Sequence, residues 1–422
     1  MKYLFYSVLI FSFFVPTLCL TGKFWQITDQ HYDWLYKYKS EPFLGFCRVG
    51  EGDAGYFGDY NCDIPWRTVE SAIEEMARVE PNVDFVINSG DSFPHALGTA
   101  EDKLQTIENV TNAIRKYFPN TPIFYSPGNH DFEPTHCCSP GPNTWLQKMS
   151  HAVFEILNPE QKKTFLQGGY YSQVISGLRV VIMNTVLYYH DNRNTTDSTG
   201  DISGQYAWIS SELDQASANR EKVLIVGHVP PGYAERFGDL NFHEQFNAPF
   251  VNLFEEHPHK DLIIAQLYGH LHSDSFRLSN DAGALLLAPS VTGWKNYYSE
   301  SSIPNNPAMG RLFYYDTVNK DLVKYEQYYT DLQTSNENLK LKWHLEYDTS
   351  MEPFNMQDLS LLSFQNFFYE MKNNDDIFDQ YYLYNLVNYK TDPCDADCKN
   401  MQLCALEYLY EDKYTACRNS KK

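Results

Sequence analysis

Short apolar runs that end abruptly in polar residues recur along the first two thirds of the chain. In the clearest case, the apolar segment Ile123 to Tyr125 runs into a turn that carries Asn129, His130 and Asp131. Four other apolar runs stop at polar residues in the same way, just before Asp29, Asp91, His228 and His270. If these runs are strands of common sheets, their carboxyl ends gather carboxylate, amide and imidazole groups into one crevice.

Helical spacing separates these runs. Apolar residues recur every three to four positions from Pro65 to Ala77 and from about Glu101 to Tyr117. A hairpin pattern at 169–183 follows, then helical segments at about 204–218 and before Glu256, and several short strands between Ala284 and Tyr329. This order predicts an α/β (α+β) fold, namely a four-layer αββα sandwich of two mixed sheets flanked by helices.

The two ends of the chain differ from this middle part. Residues 1–20 have a Lys followed by a nearly unbroken apolar run, which is typical of a secretory signal peptide, with an uncleaved N-terminal anchor as the alternative. We therefore expect a secreted or lysosomal protein. Residues 344–422 are rich in Asp, Asn, Tyr and Phe with helical spacing, and we expect a small helical C-terminal domain there, with its aromatic stripe packed against the main domain, 21–343.

Cysteine usage agrees with export. Without Cys19, eight cysteines remain, an even number that fits disulfide bonds in an oxidising compartment. We expect the pairs Cys47–Cys62, Cys394–Cys398 and Cys404–Cys417, which would staple the C-terminal region, while Cys137 and Cys138 are harder to place. Zinc ligation by a C-x3-C pair is the alternative, but no His pair is nearby. Asn109 and Asn194 begin glycosylation sequons.

The charge balance excludes one class of partner. A formal net charge of −21 without a Lys/Arg stripe argues against binding a polymeric nucleic acid, since that requires clustered positive charge. A small phosphorylated substrate remains compatible, because metal ions supply positive charge locally. After the first 20 residues no segment has the roughly 18 consecutive apolar residues of a membrane helix, so we expect no stable membrane insertion. We expect a monomer.

Each polar motif at the strand ends is weak alone, because Gly-Asp and Gly-His are common turns. Their joint occurrence is informative. In order the chain presents Asp29-x-His31, Gly90-Asp91, Gly128-Asn129-His130-Asp131, Gly227-His228 and Gly269-His270-x-His272. A preceding glycine lets the backbone turn sharply and present the next side chain to the crevice.

This set of motifs resembles that of the calcineurin-like metallophosphoesterases, from Asp29 to His272. The resemblance implies a catalytic domain at 21–343 with two metal ions that share Asp91. It assigns Asp29, His31, Asp91 and His272 to one ion, and Asp91, Asn129, His228 and His270 to the other. Imidazole, carboxylate and amide ligands suit two Zn²⁺, with Mn or Fe as alternatives.

A further motif indicates which group of this superfamily the chain resembles. Gly90-Asp91-Ser92-Phe93-Pro94-His95 matches the Gly-Asp-x-x-x-His pattern of acid sphingomyelinases, and Pro94 stands where purple acid phosphatases carry a tyrosine ligand. The closest resemblance is to the acid sphingomyelinase-like phosphodiesterases. A saposin-like module with six cysteines does not precede Asp29, which puts efficient attack on bilayer lipid in question.

The resemblance implies hydrolysis of a phosphocholine-type phosphodiester, that is, sphingomyelin to ceramide and phosphocholine. The alternatives are the same chemistry on soluble nucleotides or CDP-choline, and a catalytically inactive binding protein, against which the complete ligand set argues. We expect His130 to donate the leaving-group proton with help from His95, because an unperturbed imidazole is charged in an acidic compartment. The alternative for His130 is to orient Asn129, and the alternative for His95 is a structural role. Asp131 is expected to hold His130 or the loop and not to bind metal. The expected pocket residues are Tyr32, Asn296, Tyr297 and the stretch 306–311; His136 and the other histidines outside the motifs are interpreted as surface or core residues.

Overall fold

The computed structural model describes residues 21–96, 98–153, 157–295 and 303–420. The predicted signal peptide therefore lies outside the described residues. The strands are β1 (Thr21–Ile27), β2 (Glu41–Phe43), β3 (Phe46–Val49), β4 (Phe85–Asn88), β5 (Ile123–Tyr125), β6 (Tyr171–Ile175), β7 (Leu178–Ile182), β8 (Lys222–Val226), β9 (Ile263–Tyr268), β10 (Ser275–Arg277), β11 (Ala284–Leu287), β12 (Ala308–Asp316), β13 (Leu322–Tyr329) and β14 (His344–Asp348). The α-helices are α1 (Trp66–Val79), α2 (Ala100–Tyr117), α3 (Thr144–Ala152), α4 (Pro159–Gly168), α5 (Gln205–Asn219), α6 (Glu244–Glu255), α7 (Leu332–Glu337), α8 (Leu361–Asn373), α9 (Asp375–Asn385), α10 (Ala396–Glu407) and α11 (Glu411–Asn419).

Two mixed sheets of six strands form the centre of the fold. The first has the order β14-β13-β12-β1-β4-β5, and the second has the order β10-β11-β9-β8-β7-β6. Strands β1, β4 and β5 are parallel, as are β7, β8, β9 and β11. The predicted pair of mixed sheets is confirmed. Because these parallel strands end at the same edge of their sheets, the residues that follow them meet there.

Apolar side chains hold the layers together. Phe24 and Phe85 of the first sheet belong to the same buried cluster as Val181 and Ile225 of the second. A separate cluster lies under α1 and α2, where Val69 and other apolar residues of the helix stripes pack on the outer face of the first sheet. On the second sheet α5 contacts β7 and β8. The fully buried strand β4 reads Phe-Val-Ile-Asn, a near-continuous apolar run typical of a parallel strand covered on both faces.

The C-terminal helices pack against the edge of the second sheet. The ring centroids of Phe364 in α8 and Phe276 in β10 are 5.2 Å apart, and the amide of Leu278 donates to the carbonyl of Leu406 at 2.9 Å. Most of the aromatic stripe of α8 is buried, which confirms its packing role, although Leu362 on the same helix is 64% exposed. None of the helices in the described ranges is both long and apolar enough to cross a membrane.

One strand lies beyond the boundary expected at residue 343. Strand β14 pairs with β13 in an antiparallel register, so the first sheet extends to Asp348. The sequence His-Leu-Glu-Tyr-Asp has no apolar run to mark it as a strand. Pairing with a long neighbouring strand, which is a tertiary effect, decides its conformation.

The three expected disulfides are confirmed. Cys47 pairs with Cys62, and the pairs Cys394–Cys398 and Cys404–Cys417 staple the C-terminal helices. Cys137 and Cys138 are free thiols, so the expectation of a disulfide framework holds for six of the eight cysteines. Cys138 is fully buried beside Asn184, and burial raises the pKa of its thiol to about 12.

Candidate metal centre and active site

The predicted ligands come together at the carboxyl ends of five strands. Strands β1, β4 and β5 of the first sheet and β8 and β9 of the second each run directly into one of the polar motifs. Asp29, His31, Asp91, Asn129 and His228 are all at most 2% exposed.

The backbone at these strand ends is strained. A positive φ is found at Asp29 (50°), His31 (41°), Asp91 (55°), His270 (72°) and His272 (59°). Residues other than glycine rarely adopt this left-handed conformation, and it concentrates at functional sites. Gly128 meets a different constraint, because a Cβ there would lie 2.1 Å from Asp91 Oδ1. Glycine is therefore required for the close approach of the two loops.

Two buried carboxylates lie at the centre of the cluster. Asp29 Oδ1 lies 3.8 Å from His31 Nε2, 3.9 Å from His228 Nε2 and 3.5 Å from His272 Nε2. Asp91 Oδ2 lies 3.6 Å from His31 Nε2 and 3.1 Å from His228 Nε2. The carboxylate oxygens and imidazole nitrogens thus converge on a common space.

Among the described residues, three overlapping groups of candidate ligands lie in the cluster, one of them formed by His31, His95 and His272, and the other two share one carboxylate. Ligand atoms of Asp29, His31 and Asp91 all lie within 4.8 Å of one another, and so do those of Asp91, His228 and His270. Asp91 belongs to both groups, which is the arrangement expected of a bridging ligand.

Facing nitrogen atoms provide a test of whether these residues fit a cation. His31 Nδ1 lies 2.8 Å from the carbonyl oxygen of Phe93, so this nitrogen donates and Nε2 is left as an acceptor. That Nε2 faces His272 Nε2 at 3.1 Å. Metal-binding imidazoles are commonly oriented in this way by a backbone carbonyl, which turns the other ring nitrogen toward the ion. The residues fit a metal ion.

The second group shows the same pattern. His228 Nδ1 lies 2.7 Å from the carbonyl oxygen of Ser89, and His228 Nε2 is 3.1 Å from Asn129 Oδ1. The carbonyl of Ser89 thus turns His228 Nε2 toward the side chain of Asn129. The side chains of Asn129 and His228 are therefore arranged to bind a common cation.

The electrostatics of the cluster agree with this interpretation. Burial lowers the pKa of His31, but Asp29 and Asp91 outweigh it and raise the pKa to about 9. The pKa of His228 is likewise raised to about 9 by the same carboxylates, against the effect of burial. Burial favours a protonated Asp29, yet His228 and the neighbouring imidazoles hold its pKa well below the ordinary value. The buried carboxylates thus demand positive charge nearby.

Asp131 ties the two loops of the first sheet together, as predicted. Its carboxylate accepts hydrogen bonds from the backbone amides of Asp91, Ser92, Phe93 and Gly128. In return, Asp91 Oδ1 accepts from the amide of His130 at 2.8 Å. Asp131 therefore positions the bridging carboxylate and does not itself face the cluster of ligands.

His130 lies on the floor of the pocket. Its Nε2 is 3.4 Å from His136 Nε2, and its buried Nδ1 has no hydrogen-bond partner among the described residues. Burial and the neighbouring imidazoles, led by His95, lower the pKa of His130 well below 6.5. A charged His130 in an acidic solution, expected from its unperturbed pKa, therefore needs an anionic ligand beside it. His136 matches no motif, and nothing in the sequence indicated its place here.

His95 is held more tightly. Its Nδ1 lies 2.8 Å from Asp63 Oδ1, and its ring stacks between His31 and Trp294, with centroid distances of 4.0 and 3.7 Å. Burial and the charges of His31 and His272 lower the pKa of His95 well below 6.5, while burial raises that of Asp63 to about 8. The sequence analysis missed Asp63 and Trp294, because neither belongs to a spaced motif.

A cavity of about 740 Å³ opens over this cluster. Its floor contains Asp91, Asn129, His130, His270 and His272, with His95 beside them, and its wall includes the apolar residues Leu44, Phe46, Phe237, Trp294 and Ile303. The cavity thus joins a polar, ligand-rich floor to an apolar wall.

The prediction of the residues that line the substrate pocket is largely wrong. Tyr32 packs against Trp66, Asn306 Nδ2 donates to the carbonyl of Val387, and Arg311 pairs with Asp274. Tyr32, Asn306 and Arg311 do not line the cavity, whereas the neighbouring Asn305 does. The other two expected residues, Asn296 and Tyr297, lie outside the described residues. The sequons lie elsewhere, with Asn109 on α2 and Asn194 on an exposed loop.

Comparison with known families covers nearly the whole chain. Residues 22–274 match the calcineurin-like phosphoesterase family, and residues 280–422 match the acid sphingomyelin phosphodiesterase C-terminal region. The match to the C-terminal region agrees with the helical part stapled by two disulfides.

Similar proteins span the same length. A sphingomyelinase phosphodiesterase C of Dictyostelium discoideum is 36% identical over 94% of this chain and 92% of its own length. The human acid sphingomyelinase-like phosphodiesterase 3b is 35% identical, and the cyclic GMP-AMP phosphodiesterase SMPDL3A of Bos taurus is 33% identical, each over 94% of this chain and 90% of its own. The calcineurin-like superfamily is dinuclear and metal-dependent, in agreement with the two groups of ligands around Asp91. The chain therefore belongs to the acid sphingomyelinase-like branch of the calcineurin-like phosphoesterases and is a metal-dependent phosphodiesterase.

Proposed function

We propose that the protein is a secreted or lysosomal, binuclear zinc phosphodiesterase that cleaves a phosphocholine-type phosphodiester, converting sphingomyelin to ceramide and phosphocholine. The observation that carries this proposal is the cavity, in which the cluster of metal ligands lies directly beside an apolar wall that includes Leu44, Phe46 and Trp294. A phosphodiester with an apolar leaving group matches both the ligand-rich floor and the apolar wall of the cavity. Relatives named for sphingomyelin add support.

The residues divide into two ligand sets. Asp29, His31, Asp91 and His272 would hold one zinc ion, and Asp91, Asn129, His228 and His270 would hold the other. Five of these seven side chains are imidazoles or amides, which favours zinc over magnesium or calcium. When bound, the ions supply an activated water and positive charge against the phosphoryl oxygens.

The protein's own side chains supply the remaining steps. His130 and His95 both line the cavity, and they deliver the proton that the departing oxygen requires. A positioned general acid is worth about 10²–10⁴-fold in rate, or roughly 3–5 kcal/mol. The anionic substrate raises the pKa of the buried imidazoles, which favours their charged form at the moment of reaction.

A second substrate class is favoured by one relative. The bovine protein at 33% identity is named a cyclic GMP-AMP phosphodiesterase, and the indole of Trp294 at the cavity wall offers a stacking surface to a base. Soluble nucleotides or CDP-choline are therefore the alternative substrates for the same chemistry.

A substrate panel separates these proposals. Purified protein is assayed at pH 5 and pH 7 on sphingomyelin micelles, CDP-choline, nucleoside triphosphates and cyclic dinucleotides, after chelation and after addition of zinc. We expect zinc-dependent release of phosphocholine from sphingomyelin. Activity confined to nucleotides would select the alternative, and activity on no member of the panel would overturn both. Restoration by Mn²⁺ or Fe²⁺ but not by zinc would contradict the metal assignment.

The proposals on secretion, glycosylation and oligomeric state are tested separately from activity. We propose removal of residues 1–20, glycosylation at Asn109 and Asn194 and a monomeric state. Expression in a eukaryotic host should give a secreted or lysosomal protein whose N-terminus lies near Thr21 and whose mass falls on endoglycosidase treatment. Retention of Met1, or an unchanged mass, would contradict the corresponding proposal. Light scattering on the purified protein measures the oligomeric state, with a dimer as the contradicting result.

A further inference from the structure

One stretch of the chain concentrates exposed apolar side chains. Six of the fourteen large hydrophobic side chains that are exposed in the described part of the chain lie between residues 35 and 56. These six, which we call the apolar patch, are Leu35, Tyr38, Phe43, Leu44, Val49 and Tyr56. Single exposed apolar residues are ordinary on a protein surface, whereas a concentration of them marks an interaction site.

The hairpin of β2 and β3 brings the patch to the mouth of the cavity. Its turn is Leu44-Gly45, and Leu44 and Phe46 belong to the cavity wall. A Cβ on Gly45 would lie 3.2 Å from Trp294 Nε1, so the turn lies against the indole of the same wall. Phe43, beside the turn, is 61% exposed. The patch is therefore continuous with the apolar wall of the cavity.

The hairpin is held in place with its apolar side chains facing outward. Cys47 is disulfide-bonded to Cys62, and Arg48 donates to the Asp33 carboxylate through Nε at 2.9 Å and Nη2 at 3.0 Å. At the turn Leu44 has a positive φ of 50°, a position that Asn, Asp or Gly normally occupies. A strained, exposed leucine at this point is a feature typical of a functional surface.

The charges around the patch indicate the kind of partner. Between residues 35 and 56 three cations, Lys37, Lys39 and Arg48, balance three anions, Glu41, Glu51 and Asp53, whereas the whole chain has a formal net charge of −21. An anionic lipid surface would repel the chain as a whole and gain little from this neutral segment. A zwitterionic lipid surface carries no such penalty.

The tyrosines of the patch suit a boundary between lipid and water. The ring centroids of Tyr38 and Tyr56 are 5.5 Å apart. Lys39 Nζ lies 5.2 Å from the ring of Tyr38, and the guanidinium of Arg67 lies 4.1 Å from the ring of Tyr56. Tyrosine rings and cations with long apolar stems are the residue types that favour this boundary, because one end of each is apolar and the other stays in water.

We propose that the apolar patch docks reversibly on a zwitterionic lipid surface, with Phe43 and Val49 entering it and the mouth of the cavity facing it. The proposal deepens the function proposed above and rests on it, because the lipid of that surface is then the substrate. Its apolar part passes along Leu44 and Phe46 toward the ligand-rich floor without crossing water. Docking of this kind buries side chains at the interface and needs no membrane-spanning helix.

Sedimentation with vesicles of phosphatidylcholine and sphingomyelin tests the docking directly. The double variant Phe43→Ser, Val49→Ser should bind about 10–100-fold more weakly than the wild type, because two side chains no longer leave water. Val318→Ser is the matched control for Val49. Val318 is 86% exposed in the turn after β12, and Asp316 beside that turn pairs with Thr21 at the start of β1, away from the ligands that follow its other end. This control should bind as the wild type does.

Activity separates docking from catalysis. On a water-soluble, short-chain phosphocholine diester the double variant should match the wild type, which also shows that it is folded. On sphingomyelin in vesicles its rate at low lipid concentration should fall about 10–100-fold, in step with binding. Equal losses on the soluble and the vesicle substrate would overturn the docking role, because they would assign the two side chains to the cavity.

Lipid charge and self-association test the choice of partner. Replacing about a fifth of the phosphatidylcholine by an anionic lipid should not strengthen binding, and added salt should change it by less than about twofold. Binding confined to anionic vesicles would overturn the proposal. So would self-association without lipid, seen by light scattering and lost in the double variant, because it would assign the patch to a second copy of the chain.

The same measurements distinguish failure of the docking from failure of the proposed function. A wild type that cleaves the soluble ester and binds no vesicle would overturn the docking alone. A wild type that binds vesicles through the patch and cleaves no phosphodiester would support the docking and contradict the proposed function.

Discussion

Asp131 offers the sharpest test of how the site is built. This residue is fully buried between the loops that carry Asp91 and Asn129. Its oxygens accept five hydrogen bonds, at Oδ2 from the amides of Asp91 (2.9 Å) and Gly128 (3.0 Å) and the hydroxyl of Tyr125 (2.9 Å), and at Oδ1 from the amides of Ser92 (3.0 Å) and Phe93 (3.3 Å). Replacement by asparagine keeps the shape and removes one acceptor.

The expected cost follows from that geometry. Whichever way the new side-chain amide of the Asp131→Asn variant is oriented, its NH₂ group faces two backbone N–H donors, which lose their acceptor. A buried donor left without a partner costs about 1–3 kcal/mol, so the free energy of unfolding should fall by about 2–6 kcal/mol. Because Asp131 also holds the loop of Asp91, which both ligand sets share, affinity for both metals should fall as well.

Urea unfolding of the metal-free protein measures the first effect, and metal analysis after dialysis against a zinc buffer measures the second. Tyr125→Phe serves as a partial control, since it removes only the hydroxyl donor and leaves every backbone amide paired. Its loss should be much smaller than that of Asp131→Asn. An Asp131→Asn protein with wild-type stability and two tightly held metals would refute the assignment of this carboxylate as the organiser of both loops.

Three further predictions follow from contacts elsewhere in the molecule. His130→Ala should abolish turnover and keep both metals, as measured by kinetics and metal analysis. Loss of metal would instead assign His130 to support of the ligands. His344→Ala, at an exposed position, is the control. Burial acts to raise the pKa of Glu235, but Arg277 and Ser273 lower it from 4.5 to about 2. Its pairing should therefore contribute about 3 kcal/mol to the free energy of unfolding above pH 4.5, and this contribution is lost as the pH falls toward 2. The free energies of unfolding of the wild type and of Glu235→Gln, measured at pH 7 and pH 3, should converge at the lower pH. Replacing Cys404 and Cys417, 13 residues apart, by serine should destabilise the C-terminal helices by about 3 kcal/mol, seen as an earlier unfolding transition that an unchanged melting curve would contradict.

Local patterns predicted that the candidate ligands would lie together. Each motif that carries candidate ligands follows an apolar run that becomes a strand, and the carboxyl ends of parallel strands collect the residues that follow them. Spacing therefore indicated a common crevice for the residues from Asp29 to His272, and the family resemblance assigned them as ligands. The disulfide pairs were predictable for a similar reason, since each joins cysteines separated by 15 residues or fewer.

Contacts between distant segments were not predictable in this way. Asp63 reaches His95 across 32 residues, and Trp294 stacks on the same ring from a segment that follows the second sheet. His136 enters the cavity through a loop whose sequence resembles any polar turn. Strand β14 forms because β13 offers it a hydrogen-bonded edge, although its own residues are mostly polar.

The sequence by itself thus determined the fold class, through its periodicity, and the family resemblance, through the polar residues at strand ends. The resemblance in turn predicted the metal-ligating side chains. The tertiary structure decided which groups surround those ligands: the carboxylate that holds His95, the carboxylate that joins the two loops at Asp131, and the apolar wall of the cavity. The physical reason is that a side chain's orientation, burial and pKa depend on neighbours brought together by packing. The spacing of nearby residues predicts neither the order of strands in a sheet nor the contacts between loops.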